Sequence, residues 1–186
     1  MIALVLAAAV AALASGDLVG QASVVDGDTL EIHANRIRVF GIDVPESAQL
    51  CRGEDAAPWR CGAKAANALF DFIGGRVVSC VEVDRDRYNR RVAVCLVDGV
   101  DLADWLARSG LAIDYTQYSH GAYAGAEAEA KAGHRGIWGG SFVEPWKYRA
   151  CVKAGGRLRL ARTATKEKQT LACCGAGVSK HCRRRA

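Results

Sequence analysis

Apolar and polar positions alternate over three short stretches near the start of the chain. Leu18–Val25 reads as a strand that ends in the turn signal Asp26-Gly27-Asp28. Thr29–His33 alternates as a half-buried strand does, and Arg36–Phe40 alternates again after a turn at Asn35. Gly41 and Pro45 then stop the sheet, and Gln49–Gly62 reads as a loop that Cys51 and Cys61 can close. Ala63–Ile73 has helical composition and spacing and is terminated by Gly74-Gly75. Val77–Asp84 and Arg91–Val97 read as two more strands around the polar run Arg85–Arg90. Cys80 and Cys95 fall on opposite arms of that hairpin, which suits a cross-strand disulfide. Leu102–Ser109, closed by Gly110, and Tyr123–Ala132, ending at Gly133, are the second and third helices. Beyond Cys151 the apolar periodicity is lost. Five short strands with about three helices predict an α+β fold on an OB-type barrel, an architecture that often carries nucleic-acid sites.

Composition adds a boundary at each end. The 186 residues, 51% hydrophobic, suffice for one packed domain. Met1–Ala14 carries no charged side chain and is nearly all Ala, Leu, Val and Ile. It is too short to span a bilayer, which takes about 20 apolar residues. With the small-x-small run Ala12-Leu13-Ala14, it predicts a signal peptide over residues 1–16 and a secreted or periplasmic protein. A domain over 17–148 and a basic, cysteine-containing extension over 149–186 complete the expected organisation.

Charge separates the domain from the extension. Of 25 Lys/Arg and 20 Asp/Glu, residues 151–186 hold ten and one, for +9, and residues 1–150 hold the remaining 15 and 19, for −4. Such asymmetry suits a polyanion reached through the tail, and equally a solvated end. The eight cysteines, none in a Cys-x-x-Cys pair, predict disulfides in an oxidising compartment. Cys173, Cys174, His181 and Cys182 are metal-capable types, but the adjacent pair is awkward for tetrahedral zinc, and disulfides are the reading adopted.

The candidate chemistry sits at strand ends. Asp28, Asp43 and Glu46 gather there, where two carboxylates suit a hard cation such as Ca²⁺ and a third can act as a base on water. On spacing alone, turn formation accounts for all three. Arg38 and Arg90 could hydrogen-bond two phosphate oxygens together, although each alone reads equally as a surface arginine.

Taken together, the strings Val25-Asp26-Gly27-Asp28-Thr29-Leu30, Arg38-Val39-Phe40-Gly41-Ile42-Asp43-Val44-Pro45-Glu46 and Asp86-Arg87-Tyr88-Asn89-Arg90 resemble the signature motifs of the staphylococcal (micrococcal) nuclease family. The resemblance continues through Gly110-Leu111-Ala112, Glu127-Ala128-Glu129-Ala130-Lys131 and Gly136-Ile137-Trp138. It implies that Asp28, Asp43 and the carbonyl of Val44 bind Ca²⁺, and that Glu46 orients or deprotonates water. It implies that Arg38 and Arg90 clamp the phosphate, and that Tyr88 and Tyr118, with Arg87, contact the nucleotide; Tyr115 competes with Tyr118 for that place. The substrates would be DNA and RNA, single-stranded or flexible, cleaved by a monomer. Where family members often carry Thr and Gly, this chain has Val44 and Asn89. A backbone ligand survives the first change, and Asn tolerates the left-handed turn the second requires. The rival reading is a non-catalytic OB-fold module of the cell envelope that binds nucleic acid or protein.

Overall fold

The computed structural model describes residues 17–161 and 170–174, with side chains through Gly156. The apolar leader, positions 162–169 and 175–186, and the side chains of Cys173 and Cys174 lie outside the described residues.

The first strand is broken rather than continuous. β1 (Leu18–Gln21) pairs antiparallel with β8 (Val77–Arg85), while β2 (Ser23–Asp26) pairs with β3 (Thr29–Ile32). β3 in turn pairs with β4 (Asn35–Val39), and β8 with β9 (Arg91–Val97). β4 and β9 run parallel and join the two halves, so the strand order is β1-β8-β9-β4-β3-β2. The two ends of this path, β1 and β2, are separated in the chain by Ala22 alone. The sheet must therefore curl until its edges meet. Counting the bent first strand once, this is the predicted five-stranded OB-type barrel.

The inward faces follow from two-residue periodicity: Leu30 and Ile32, Ile37 and Val39, Val78 and Cys80, and Ala93, Cys95 and Val97 are all buried. Helix α1 (Cys61–Ile73) caps the barrel with Ala65, Leu69 and Ile73, spaced four apart on one face, and Gly74 ends it in the left-handed conformation. The short strand β10 (Val100–Asp101) leads into helix α2 (Leu102–Arg108), whose N-terminal N–H groups are capped by the Asp101 carboxylate.

Several elements depart from the sequence reading. The β3–β4 turn is made by His33 and Ala34, both at positive φ, and Asn35 starts the strand while its amide donates to His33 O at 2.9 Å. The loop 49–62 is closed by the Cys51–Cys61 disulfide as expected, yet it contains a hairpin, β6 (Leu50–Arg52) and β7 (Pro58–Arg60). Ile42–Asp43 is itself a short strand, β5, paired with β11 (Ile113–Asp114). Five helices are present among the described residues instead of about three. Besides α4 (Ala124–Ala132), the chain forms α3 (Thr116–Ser119) and α5 (Pro145–Lys153), followed by a strand pair, β12 (Arg157–Ala161) with β13 (Thr170–Cys174). Position 148 lies inside α5. The cross-strand disulfide Cys80–Cys95 forms in register. With all four barrel cysteines paired to one another, the disulfide at Cys151 does not reach back to the barrel.

A second, smaller core holds α5 against the barrel. Cys51, Cys61, Ile113 and Ile137 are buried there, with Trp59, Trp138, Phe142 and Trp146 packed around them. No helix among the described residues is long and apolar enough to cross a membrane.

Candidate active site

Five side chains form a row of alternating charge on one side of the barrel. Asp28 sits at the tip of the β2–β3 hairpin, where Asp26 stabilises the turn by accepting from Gly27 N at 2.8 Å and from the Ser47 hydroxyl at 2.9 Å. Arg38 lies opposite Thr29 in the β3–β4 register, one residue from Asp28. Its Nη2 is 2.8 Å from Asp28 Oδ2 and 3.3 Å from Asp43 Oδ1. A single nitrogen thus bridges two carboxylates. Asp43 is fully buried on β5, and Asp28 is nearly so, with Thr29 Oγ1 donating to its Oδ1 at 3.0 Å.

The row continues from Asp43 to Glu46 through a residue that the sequence reading did not place in the site. Arg149 of α5 donates from Nη2 to Asp43 Oδ2 at 2.8 Å, and from Nη1 to both Asp43 Oδ1 and Glu46 Oε1 at 2.9 Å. Arg149 lies in the stretch 149–186 that the sequence reading assigned to the basic extension. The signal available was Glu144-Pro145-Trp146: proline is favoured at the first helical position, as it stands in α5. A helix start there would have drawn attention to the arginine that follows.

Glu46 is held from below by its own backbone. Gln49, fully buried, accepts from Glu46 N at 3.2 Å and donates to Val143 O at 2.6 Å, which ties the Glu46 turn to the segment before α5. Gly62, in the first turn of α1, packs so closely on this turn that a Cβ there would fall 1.9 Å from Glu46 O. Val44, between the acids, is buried as well.

Burial sets the electrostatics. It pushes the Asp28 carboxyl above its ordinary value, against the opposing pull of Arg38 and the hydrogen bond from Thr29. For Arg149, burial disfavours the charge, but the hydrogen bonds it donates to Asp43 and Glu46 outweigh this and drive the guanidinium pKa upward. Among the described residues no group of three or more His, Cys, Asp or Glu side chains forms a metal cage. The acids stand as a bridged pair, Asp28 and Asp43, with Glu46 beside them.

Arg90 stands apart from this row. Its ion pair is with Asp86, which accepts its Nε at 2.6 Å. Asn89 adopts φ 59°, the left-handed turn expected of it. The parallel β4–β9 register sets Val92 beside Arg38, so Arg90, just before β9, lies two residues along the chain from the position beside Arg38. Tyr88 is 67% exposed, with the guanidinium carbons of Arg87 and Arg90 at 4.9 and 5.6 Å from its ring centre. Tyr118, half exposed, meets Tyr115 at 5.0 Å, and Tyr115 stacks on Trp146 at 5.5 Å. Tyr115 and Tyr118 therefore form one aromatic group with Trp146, a ring absent from the sequence reading.

A profile of the staphylococcal nuclease homologue family matches residues 36–140, more than half of the chain. The chain belongs to this family. The match contains Arg38, Asp43, Glu46 and Arg90 and stops short of α5. Among curated relatives, the succinoglycan biosynthesis protein ExoI of Rhizobium meliloti (strain 1021) is 42% identical over 127 residues, which are 67% of this chain and 66% of that protein. A probable staphylococcal-like nuclease of rice, CAN1, is 34% identical over 64% of this chain but only 34% of its own length. An uncharacterized endonuclease of Escherichia coli O157:H7 is 32% identical over 68% of this chain and 80% of that protein. The chain thus spans under two thirds of the first two and most of the third. Family membership therefore rests on the profile match over residues 36–140.

Proposed function

We propose that this protein is a Ca²⁺-dependent endonuclease that hydrolyses phosphodiester bonds of DNA and RNA and acts outside the cytoplasm. The observation that carries the reading is the single nitrogen of Arg38 shared between Asp28 and Asp43 at 2.8 and 3.3 Å. Two buried carboxylates close enough to share one donor are close enough to share one oxygen-liganded cation, for which ligand distances are about 2.3–2.6 Å. The donor set is all oxygen and fits Ca²⁺ rather than Zn²⁺. Asp28, Asp43 and the carbonyl of Val44 would hold the ion. When bound, it would supply electrostatic stabilisation for the charge that gathers on the phosphate oxygens.

The chain's own groups do the rest. Glu46 orients a water and takes its proton as the water oxygen bonds to phosphorus and the bond from phosphorus to the leaving oxygen breaks. Arg149 occupies Oε1 of Glu46. That arrangement leaves Oε2 to receive the proton. Arg38 and Arg90 present planar donor pairs to the equatorial oxygens, where the transition state is more negative than the substrate. Tyr88 and Tyr118 offer faces on which any base can stack, with Arg87 beside them, and this suits flexible or single-stranded substrate with little sequence preference.

Export is supported by the uncharged apolar run Met1–Ala14 and by the disulfides Cys51–Cys61 and Cys80–Cys95, a type that persists in oxidising compartments. The protein is read as a monomer. The test is incubation of the full-length secreted protein with denatured DNA or RNA, with Ca²⁺ or with a chelator. Cleavage that requires Ca²⁺ is expected, and cleavage at full rate in chelator would overturn the mechanism.

A further inference from the structure

The acid row carries three negative side chains, Asp28, Asp43 and Glu46, and two positive ones, Arg38 and Arg149. One of those two positives comes from a helix 106 residues beyond Asp43 and beyond the family match. Its Nη1 donates to Asp43 and Glu46 at equal distance, 2.9 Å. A fork that contacts both side chains fixes their spacing as well as their charge. The fork is itself anchored: α5 is pinned three residues earlier by Trp146, which packs into the small core and stacks on Tyr115.

We infer that Arg149 is a positioning residue of this site, one that holds Glu46 in register with Asp43 and competes with a divalent cation for the Asp43 carboxylate. The inference rests on the nuclease reading above and deepens it. Two consequences follow with opposite signs. Removing the guanidinium takes the row from a formal −1 to −2, which strengthens its attraction for a cation. The same change frees Glu46 from its partner, so the base loses its fixed aim. A side chain that served only to staple α5 to the barrel would weaken both properties together when removed.

The experiment uses the full-length protein and compares wild type with Arg149→Gln and Arg149→Lys. Ca²⁺ affinity is read by titration calorimetry, thermal unfolding without metal by circular dichroism, and kcat and KM on denatured DNA. For Arg149→Gln we expect Ca²⁺ affinity to rise about fivefold, since one neighbouring positive charge is gone. Turnover should fall by about 10²-fold with KM nearly unchanged, the loss expected when a reacting group is misplaced. The metal-free protein should unfold at a lower temperature and recover with Ca²⁺, because Asp43 is left a buried carboxylate short of a partner. Arg149→Lys should restore Ca²⁺ affinity to near wild type while kcat stays low, since one ammonium replaces the charge without the fork.

A Gln variant that matches wild type within about twofold in both affinity and kcat would make Arg149 a spectator. A Gln variant that loses Ca²⁺ affinity and kcat together, with Lys restoring neither, would make it a structural staple; either result overturns the inference while leaving the nuclease reading intact. A wild-type protein that neither binds Ca²⁺ nor cleaves would instead overturn the nuclease reading and this one with it.

Discussion

Asp86 holds Arg90 by two different groups: its Oδ1 accepts the Arg90 backbone N–H at 2.9 Å and its Oδ2 accepts Nε at 2.6 Å. The same Oδ1 also accepts Tyr88 N at 2.9 Å, so one carboxylate sets both the arginine and the exposed tyrosine of this turn. Asp86→Asn leaves one carbonyl oxygen to accept and turns the other position into a donor that faces Nε. Turnover should fall about tenfold while Ca²⁺ affinity is unchanged, as expected for a loosened arginine that does not touch the cation site. Steady-state kinetics and calorimetry on the same preparation check this, and an Asn variant with full turnover would remove Asp86 from the role.

The Asp86 carboxyl also gives a pH expectation. Burial alone would raise it, but the hydrogen bonds from Arg90 and Tyr88 prevail and hold it below its ordinary 3.8. A depressed carboxylate contributes its stabilisation above the unfolded value and loses it only as pH falls through the lower, folded one. The Arg90 tether should therefore persist through pH 4 and release below the usual carboxylate range. A carboxyl titration followed by NMR reads this directly, and an Asp86 midpoint above 3.8 would contradict it.

Glu46→Gln should lower turnover by about 10²–10⁴-fold, the usual contribution of a positioned base, while Ca²⁺ and substrate binding largely persist. The amide oxygen can still accept from Arg149, so the arrangement of the row is kept and only the basicity is lost. Activity within about tenfold of wild type would take Glu46 out of the base role.

Arg38→Lys and Arg90→Lys keep the charge and lose the planar fork. Each should impair kcat, because an ammonium does not present paired donors to two phosphate oxygens. Arg38→Lys should in addition disturb Ca²⁺ affinity, since Arg38 contacts both Asp28 and Asp43 and Arg90 contacts neither acid of that pair. Wild-type cleavage by both variants would reduce the arginines to general positive charge.

The tail, +9 over residues 151–186 against −4 before it, should govern the salt dependence of substrate binding. Replacing Arg183, Arg184 and Arg185 with Gln should flatten the slope of log affinity against log salt. The expected change is about 0.7 per lost contact on a single strand. Turnover at saturating substrate should hold, since uniform binding acts on KM. Substitution serves better than truncation at Tyr148, which would cut α5 and remove Arg149 with the tail. Identical slopes in the two proteins would mean that the tail does not touch the substrate.

The sequence by itself determined what short-range periodicity and local chemistry can encode. Alternation placed β3, β4, β8 and β9, the αL-tolerant Gly74 ended α1, and the strings around Asp28, Asp43 and Arg90 marked the acids and arginines at strand ends. It did not reveal that a break at Ala22 sends one strand to both edges of the sheet, because closure depends on where the far strands β3 and β8 lie. It misplaced the turn now made by His33 and Ala34, since Asn35 is the better turn former locally and the sheet register overrides that preference. The arrangement of the site was decided by tertiary structure alone. Asp28, Arg38, Asp43 and Glu46 lie within one stretch of sequence, but whether they are turn formers or a charged row depends on burial, which takes water away and makes paired charge necessary. Arg149 is separated from Glu46 by 103 residues and looks like any arginine of a basic tail. Only the packing of Trp146 in the small core, which fixes α5 against the barrel, brings its guanidinium to the two carboxylates.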